Sequence, residues 1–494
     1  MKPVATLSDI QLQDGQSVPL FMQLYQEIRE RILSGQWVAG TRLPASRKIS
    51  QLLGVSRNTV TAAVDQLIAE GYLKSQQGAG TWVCEDLPDV YREVDGKLDT
   101  SSSKRAFSGS VSTYGQSLLR QGRRFPPGNG SFTPGVPALD LFPNDIWRRL
   151  STRQRELRDC DLLGYSDIAG YAPLRKAVAA YLARSRAVRC TPDQVVITHG
   201  AQQALDLCAR VLADPGQTVG IEDPGYVGAR RAFVAAGLDV QGVPVDDQGL
   251  SVEALWQRFS APDFRPTFLY TTPAHQYPLG AAMPLSRRME LLDWAEQVGC
   301  WMIEDDYDSE YHFNHRPIAS LQGLCQHEQV IYLGSFSKTL FPALRLGYLV
   351  LPEHLVTSFT VAKNETSGES PAQTQAITAD FLNEGFFDSH LKKMRVTYGE
   401  RWRVMTACCE AKLVKWGRVR ASQAGMHVVI ELHRRINDQR LATQLRSAGI
   451  GVSPLSQYFW QEKPTSGMVL GFANSTPEQI VAGVDKIARV LSAF

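Results

Sequence analysis

From Gly128 to the C-terminus, short runs rich in β-branched and aromatic residues recur at intervals of a helix length or more. This alternation limits the fold more than any other feature of the 494-residue chain. The clearest runs are Val195–Thr198, Val219–Glu222, Thr267–Thr271, Trp301–Glu304, Val330–Leu333 and Gly347–Val350. Such spacing is the signature of a mainly parallel sheet with helices on both faces, an α/β fold. Ligands of these sheets sit beyond the carboxyl ends of the strands, and there the sequence is most distinctive.

A different texture precedes this region. Residues 1–84 read as compact helices ending in a hairpin and form a first domain. Residues 85–127, with Ser101-Ser-Ser-Lys-Arg105 and scattered Ser and Gly, have little to bury and read as an extended linker. A helix over Tyr114–Arg120 packed on a neighbour is the alternative. Residues 128–494 form the second domain. Net charge is only +2, yet Arg42 to Thr61 carries Arg42, Arg47, Lys48 and Arg57 and no acid, a local field suited to phosphates. Eight cysteines, among them Cys84, Cys160, Cys190 and the pair Cys408 and Cys409, show neither CxxC spacing nor a disulfide framework. No signal peptide opens the chain and no apolar run approaches a membrane span, so a soluble cytoplasmic protein without membrane contact is expected.

In the first domain, Leu20, Leu24, Ile28 and Ile32 give one apolar face to a helix ending at Ser34-Gly35. A second helix spans about Ser46 to Leu53. Gly54-Val55 turns the chain, and Ser56 can cap a third helix whose inward face is Val60, Val64, Leu67 and Ile68. Two short helices joined in this way form a helix-turn-helix, whose second helix would present Arg57, Asn58 and Thr61 to the major groove. Tyr72–Ser75 and Thr81–Val83 flank Gln-Gln-Gly-Ala-Gly, a hairpin tip able to approach a phosphate backbone. A small helical docking domain is the plainer reading. The ordered series Gly40-Thr-Arg-Leu-Pro-Ala-Ser-Arg47, Ser56-Arg-Asn-Thr-Val60 and Gly78-Ala-Gly-Thr81 resembles the GntR family of winged-helix regulators. The resemblance implies that Arg47, Ser56, Arg57, Asn58, Thr59, Thr61 and Gly78 form the contact surface for double-stranded operator DNA.

In the second domain, Gly334-Ser-Phe-Ser-Lys338 follows a strand, and Arg345 lies seven residues on. A Schiff base needs an amine whose ammonium form is disfavoured, which burial at a sheet end provides. Ser335, Ser337 and Arg345 suit a phosphate monoester. Some thirty residues earlier stands Ile303-Glu-Asp-Asp-Tyr-Asp-Ser-Glu-Tyr311. There Asp305 could pair with a pyridinium nitrogen and Tyr307 could bond the ring hydroxyl. A metal site built from Asp305, Asp306, Asp308, Glu310, His312 and His315 is the competing reading. It is weakened because these residues face alternate sides and lack a ligand spacing. Thr198-His-Gly-Ala-Gln-Gln203 offers a helix start for phosphate, and Glu222-Asp-Pro-Gly-Tyr226 offers an aromatic ring to stack on pyridine.

With these four elements in this order, residues 128–494 resemble the fold type I pyridoxal-phosphate enzymes of the aspartate aminotransferase class. The resemblance implies Lys338 as the lysine that forms the aldimine, Asp305 at the pyridine nitrogen, Tyr307 at the ring oxygen and Tyr226 on the ring. It places Gly200, Ala201, Gln202, Ser335, Ser337 and Arg345 around the phosphate, with Tyr165 reaching the phosphate of a partner subunit. The whole chain is similar to the MocR subfamily, known for regulators of vitamin B6, γ-aminobutyrate and taurine metabolism. That similarity implies a homodimer with crossed domains that senses pyridoxal phosphate or an amine or amino-acid effector. An aminotransferase with a secondary DNA-binding role is the alternative, and a dimerisation scaffold without cofactor is a third reading. Two departures bear on turnover. The usual Asn-Pro-x-Gly is replaced by His275-Gln-Tyr-Pro-Leu-Gly280, and Gly467–Asn474 lacks the arginine that grips a substrate carboxylate, leaving Arg230 or Arg231 as substitutes.

Overall fold

The apolar periodicities resolve into two units, residues 1–110 and 111–494. The structure is a computed structural model that describes residues 3–7, 9–13, 18–76, 80–85, 87, 109–120 (side chains to 116), 130–156, 162–261, 264–313, 318–420, 422, 424–433 and 436–494. In the first unit the order is α1 (Leu20–Leu33), β1 (Arg42–Leu43), α2 (Ser46–Leu53), α3 (Arg57–Ala69), β2 (Leu73–Gln76) and β3 (Gly80–Val83). The four-residue apolar spacing of α1 buries Leu24, Ile28 and Ile32 with Val60, Ala63, Val64 and Leu67 of α3. Gly54 closes α2 with φ 66°, the left-handed conformation that lets the chain turn at once into α3. The hairpin β2–β3 has the expected place, and the short β1 adds to its edge, pairing Arg42 with Trp82 and Leu43 with Thr81.

The second unit holds the expected sheet. Its strands are β4 (Val195–Thr198), β5 (Thr218–Asp223), β6 (Asp239–Asp246), β7 (Gly249–Leu250), β8 (Phe268–Thr271), β9 (Trp301–Asp306), β10 (Val330–Ser335) and β11 (Gly347–Val350). Their order is β4-β11-β10-β9-β8-β5-β6-β7. From β10 through β6 neighbours are parallel, while β11 runs against both β10 and β4. Alternate residues divide between two cores, as a sheet covered on both faces requires. Val195, Ile197, Tyr332, Tyr348 and Val350 enter one core, and Val196, Ile331, Leu333 and Leu349 the other.

A separate antiparallel sheet was not legible in the alternation. It comprises β12 (Gly417–Arg420), β13 (His427–Leu432), β14 (Val452–Pro454) and β15 (Gly467–Gly471), in the order β12-β13-β15-β14. The long helix Phe386–Leu413 packs against the helix Pro477–Leu491, and both share one core with these strands. Within the segment read as an extended linker, Thr113–Arg120 is a helix.

Candidate functional site

Because β4, β5, β8, β9 and β10 point the same way, their carboxyl ends converge. Gly200, Tyr226, Thr272, Asp305 and Ser335, each at or just past one of those ends, line a cavity of about 500 Å³. Lys338 projects into it from a short helix, Phe336–Thr339, that starts directly after β10 and is capped by Ser335 Oγ accepting from Ser337 N at 3.1 Å. The Lys338 Nζ donates to the Gly135 carbonyl at 2.8 Å. Burial lowers the pKa of this amine, while Asp308 and Asp305 pull it back up. A methyl group on Gly135, at φ +72°, would stand 2.7 Å from Nζ. The chain approaches the lysine at a position only glycine suits.

Asp305 is 4 % exposed, and its Oδ2 accepts from the Tyr270 hydroxyl at 2.6 Å. Its Oδ1 is buried without a partner. Burial pushes this carboxyl up to about 7, against the lowering effect of the Tyr270 bond, and Asp306, Glu222 and Asp308 add to the rise. A buried carboxylate oxygen without a donor is costly, and a cationic N–H donor from a ligand would satisfy it. The next residue faces the other way. Asp306 accepts from Arg186 Nε and from the Tyr332 hydroxyl, each at 2.6 Å. Glu310 accepts from Tyr181 at 2.6 Å. The acids grouped in sequence thus go to separate partners. His315 lies outside the described residues. Among the described residues one trio, His275, Asp308 and His427, brings metal-ligating groups close together, and hydrogen bonds engage His275 Nδ1 and His427 Nε2 within it.

Tyr307 lines the cavity, and its hydroxyl lies 2.9 Å from Nδ1 of the buried His275. Tyr226 lines the cavity too, its ring packed over Gly228, where a Cβ would fall 2.4 Å from Tyr226 Cζ. Burial pushes the Tyr226 phenol up to about 12. Gly200, Ala201 and Gln202, at the start of the helix Ala201–Leu212, line the cavity together with Ser335, Ser337 and Arg345. Backbone N–H groups at such a helix start favour an anion. Gly347 is needed here for close approach, since a Cβ there would lie 2.9 Å from Gly200 Cα. Every cofactor residue read from the sequence lines this cavity except Tyr165, which is 99 % exposed.

The sequence reading missed Gly135, Tyr270 and Thr272 as cavity residues, along with His427. Tyr270 had a local signal, since it lies in a strand that ends at the same sheet edge. Gly135 had none, being some two hundred residues from the lysine it touches. Neither arginine proposed as a carboxylate grip lines the cavity. Arg230 donates to the Phe459 carbonyl at 3.2 Å and lies 4.7 Å over the Trp460 ring. Strand β15 is buried along its whole length.

In the first unit, Ser56 Oγ caps α3 by accepting from Thr59 N at 3.1 Å, and it lies 2.8 Å from the Thr59 hydroxyl. Those two hydroxyls set the start of the helix, while Arg57, Asn58 and Thr61 are exposed on its outer face. A groove is lined by Arg42, Arg47, Lys48 and Arg57 with Gly80 and Thr81 of β3, with no acid among the described residues that line it. All four cations belong to the acid-free basic run read from the sequence. The Arg42 guanidinium reaches the hairpin, so that a Cβ on Gly80 would lie 3.0 Å from its Nε. Gly78 lies outside the described residues.

An α/β sheet of this order, with a lysine and an aspartate in a cavity at its strand ends, has the architecture of the fold type I aminotransferase class, here joined to a winged helix-turn-helix. The model for aminotransferase class I and II matches residues 143–487, and that for bacterial regulatory proteins of the gntR family matches residues 20–83. The chain is 39 % identical to the probable rhizopine catabolism regulatory protein MocR of Rhizobium meliloti, covering 97 % of this chain and 94 % of that one. It is 30 % identical to the pyridoxine biosynthesis transcriptional regulator PdxR of Corynebacterium glutamicum, over 92 % and 91 % of the two chains. The solved structure of the α-aminoadipate aminotransferase LysN from Thermus thermophilus matches with a TM-score of 0.69 and 30 % identity, covering 77 % of this chain and 95 % of that one. The chain belongs to the MocR subfamily of GntR-type transcriptional regulators. No helix among the described residues is long and apolar enough to cross a membrane.

Proposed function

We propose that the large unit binds pyridoxal 5'-phosphate covalently through Lys338, and that occupancy of this site, by the cofactor alone or with an amine or amino-acid effector, controls operator binding by the N-terminal unit. The observation that carries this reading is the unpaired, buried Oδ1 of Asp305 in the same cavity as a half-buried lysine of lowered pKa. The cofactor would supply an electron-withdrawing ring and a carbonyl for the amine. Asp305 would hold the ring nitrogen protonated, Tyr307 would meet the ring oxygen, Tyr226 would cover the ring, and Gly200, Ala201, Gln202, Ser335, Ser337 and Arg345 would hold the phosphate. The boundaries proposed are a DNA-binding domain over 1–84, a linker over 85–127 and a cofactor domain over 128–494.

The exposed Tyr165 fits a residue that completes the site of a partner subunit, so a homodimer with crossed domains is part of the proposal. A cytoplasmic location follows from operator DNA as the partner. Regulation is favoured over turnover because the full-length relatives are regulators and because neither Arg230 nor Arg231 lines the cavity. To act as a switch, the effector must bind one dimer arrangement more tightly than the other, and a swing from 1:99 to 99:1 takes about 5.5 kcal/mol. The test is borohydride reduction of the full chain incubated with pyridoxal phosphate. A peptide adduct on Lys338, lost in Lys338→Ala, is expected, and its absence in the unaltered chain sinks the reading. Steady-state transamination with a panel of amines and amino acids then separates sensing from catalysis, rapid turnover favouring an enzyme.

A further inference from the structure

The stretch that replaces Asn-Pro-x-Gly brings in a group the cofactor reading does not use. Tyr277 turns its hydroxyl to that of Tyr458 at 2.9 Å, while His275, two residues earlier, meets Tyr307. His275 is 1 % exposed, and its Nδ1 lies 3.1 and 3.2 Å from the two oxygens of Asp308, itself 1 % exposed. The pair is sealed by the loop before β13. A Cβ on Gly425, at φ +77°, would fall 1.9 Å from His275 Cε1 and 2.8 Å from Asp308 Oδ2. The other ring nitrogen, Nε2, is buried without a hydrogen-bond partner.

These contacts fix where the protons sit. A carboxylate can only accept, so Asp308 keeps a proton on Nδ1 of His275. Nε2 has no acceptor beside it to hold a proton there. Tyr307 shares the same Nδ1 and must therefore accept from it. Its own O–H is left to donate into the cavity that it lines. The other ionisable groups around His275 are His427 of β13, with ring centroids 5.1 Å apart, and Tyr277. Asp308 also raises the proton affinity of Lys338, and Glu222 accepts from the neighbouring Gln276 at 3.1 Å. Burial and His275 keep the His427 ring neutral, with its pKa lowered to about 3, so it does not compete for Asp308.

We propose that His275, held by Asp308 as the Nδ1–H tautomer, is a positioning residue that makes Tyr307 an obligate hydrogen-bond donor into the cavity and so selects an anionic oxygen on the bound aromatic ring. The proposal rests on the cofactor reading above. Donation by Tyr307 stabilises the anionic ring oxygen and lowers the pH at which the lysine-bound chromophore loses its proton. Asp308→Asn frees the tautomer without changing shape, since the amide can donate to Nδ1 as well as accept from it.

The experiment uses the full chain loaded with pyridoxal phosphate and follows its visible absorbance band against pH. In Asp308→Asn and in His275→Phe the midpoint should rise by about one unit, a tenfold change in proton affinity. Tyr307→Phe should shift it in the same direction, and Asp308→Asn combined with Tyr307→Phe should add little to Tyr307→Phe alone. A midpoint unmoved by Asp308→Asn and His275→Phe, with Tyr307→Phe shifted, overturns the proposal and leaves the cofactor reading standing. Reduced loading or melting temperature at an unmoved midpoint marks a merely structural pair and also overturns it. Where one of the two single variants does not fold, the other decides. If the unaltered chain gives no borohydride-trapped adduct, the cofactor reading itself fails.

Discussion

In the N-terminal unit Arg42, Arg47, Lys48 and Arg57 line an open groove with no acid among them, whereas in the large unit Lys338 and Arg345 share a cavity with Asp305 and Asp308. The four groove cations are exposed, so their effect is screened by salt. In the cavity Asp305 and Asp308 are withdrawn from water. Asp305 depends on Tyr270, and Tyr307 on His275. Removing one leaves another unpaired. The first surface should respond to mutation in small, additive steps that depend on ionic strength, and the second in large, coupled ones.

The sharpest way to break this contrast is at Asp305. Asp305→Asn keeps the shape and the Tyr270 contact but removes the charge proposed to face the ring nitrogen. Breaking a buried pair of this kind costs about 3 kcal/mol, so affinity for pyridoxal phosphate should fall on the order of a hundredfold, read by titration of the visible band, with operator affinity of the cofactor-free chain unchanged. In the groove, Arg57→Ala should lower operator affinity by about 1–3 kcal/mol and reduce the slope of log affinity against log salt by about one, leaving the cofactor spectrum as it was. Unaltered binding in a mobility-shift titration would remove α3 as the recognition helix.

Asp305 also predicts a pH effect in the cofactor-free chain. Its folded pKa, about 7, stands above its unfolded value near 4, so folding favours the protonated form. That contribution is intact below about pH 4 and is lost as pH rises toward and past about 7. Glu310, also pushed to about 7 by burial, adds in the same direction. The melting temperature should fall from pH 5 to pH 8, and Asp305→Asn should flatten part of that fall. The smallest effect belongs to the cap of α3. Ser56→Ala removes the bond to Thr59 N and should cost about 1 kcal/mol in unfolding of the N-terminal unit, with DNA affinity following only as far as the helix start frays.

Much of this was legible in the sequence because it is written in local pattern. The four-residue spacing of Leu20, Leu24, Ile28 and Ile32 reports a helix face, and Ser56 before Arg57 reports a cap. Lys338, Asp305 and Tyr226 each sit just past an apolar run that can only be a buried strand. Strand β6 and the pairing of β12, β13 and β14 with the strand at Gly467–Gly471 were not legible. Runs such as His427–Leu432 look alike whether they join a parallel or an antiparallel partner, and pairing is a long-range choice.

Sequence by itself determined the kinds of group available, their periodicity and so the two units with their strand-end lysine and cation-rich helix pair. Tertiary structure alone decided which of those groups meet. It set Gly135 against Lys338, left one oxygen of Asp305 unpaired, and closed Gly425 over His275 and Asp308. Each of these contacts joins residues far apart in the chain, where no local spacing can record them. Burial, which gives Lys338 and Asp305 their altered proton affinities, is a property of the assembled fold rather than of any one segment.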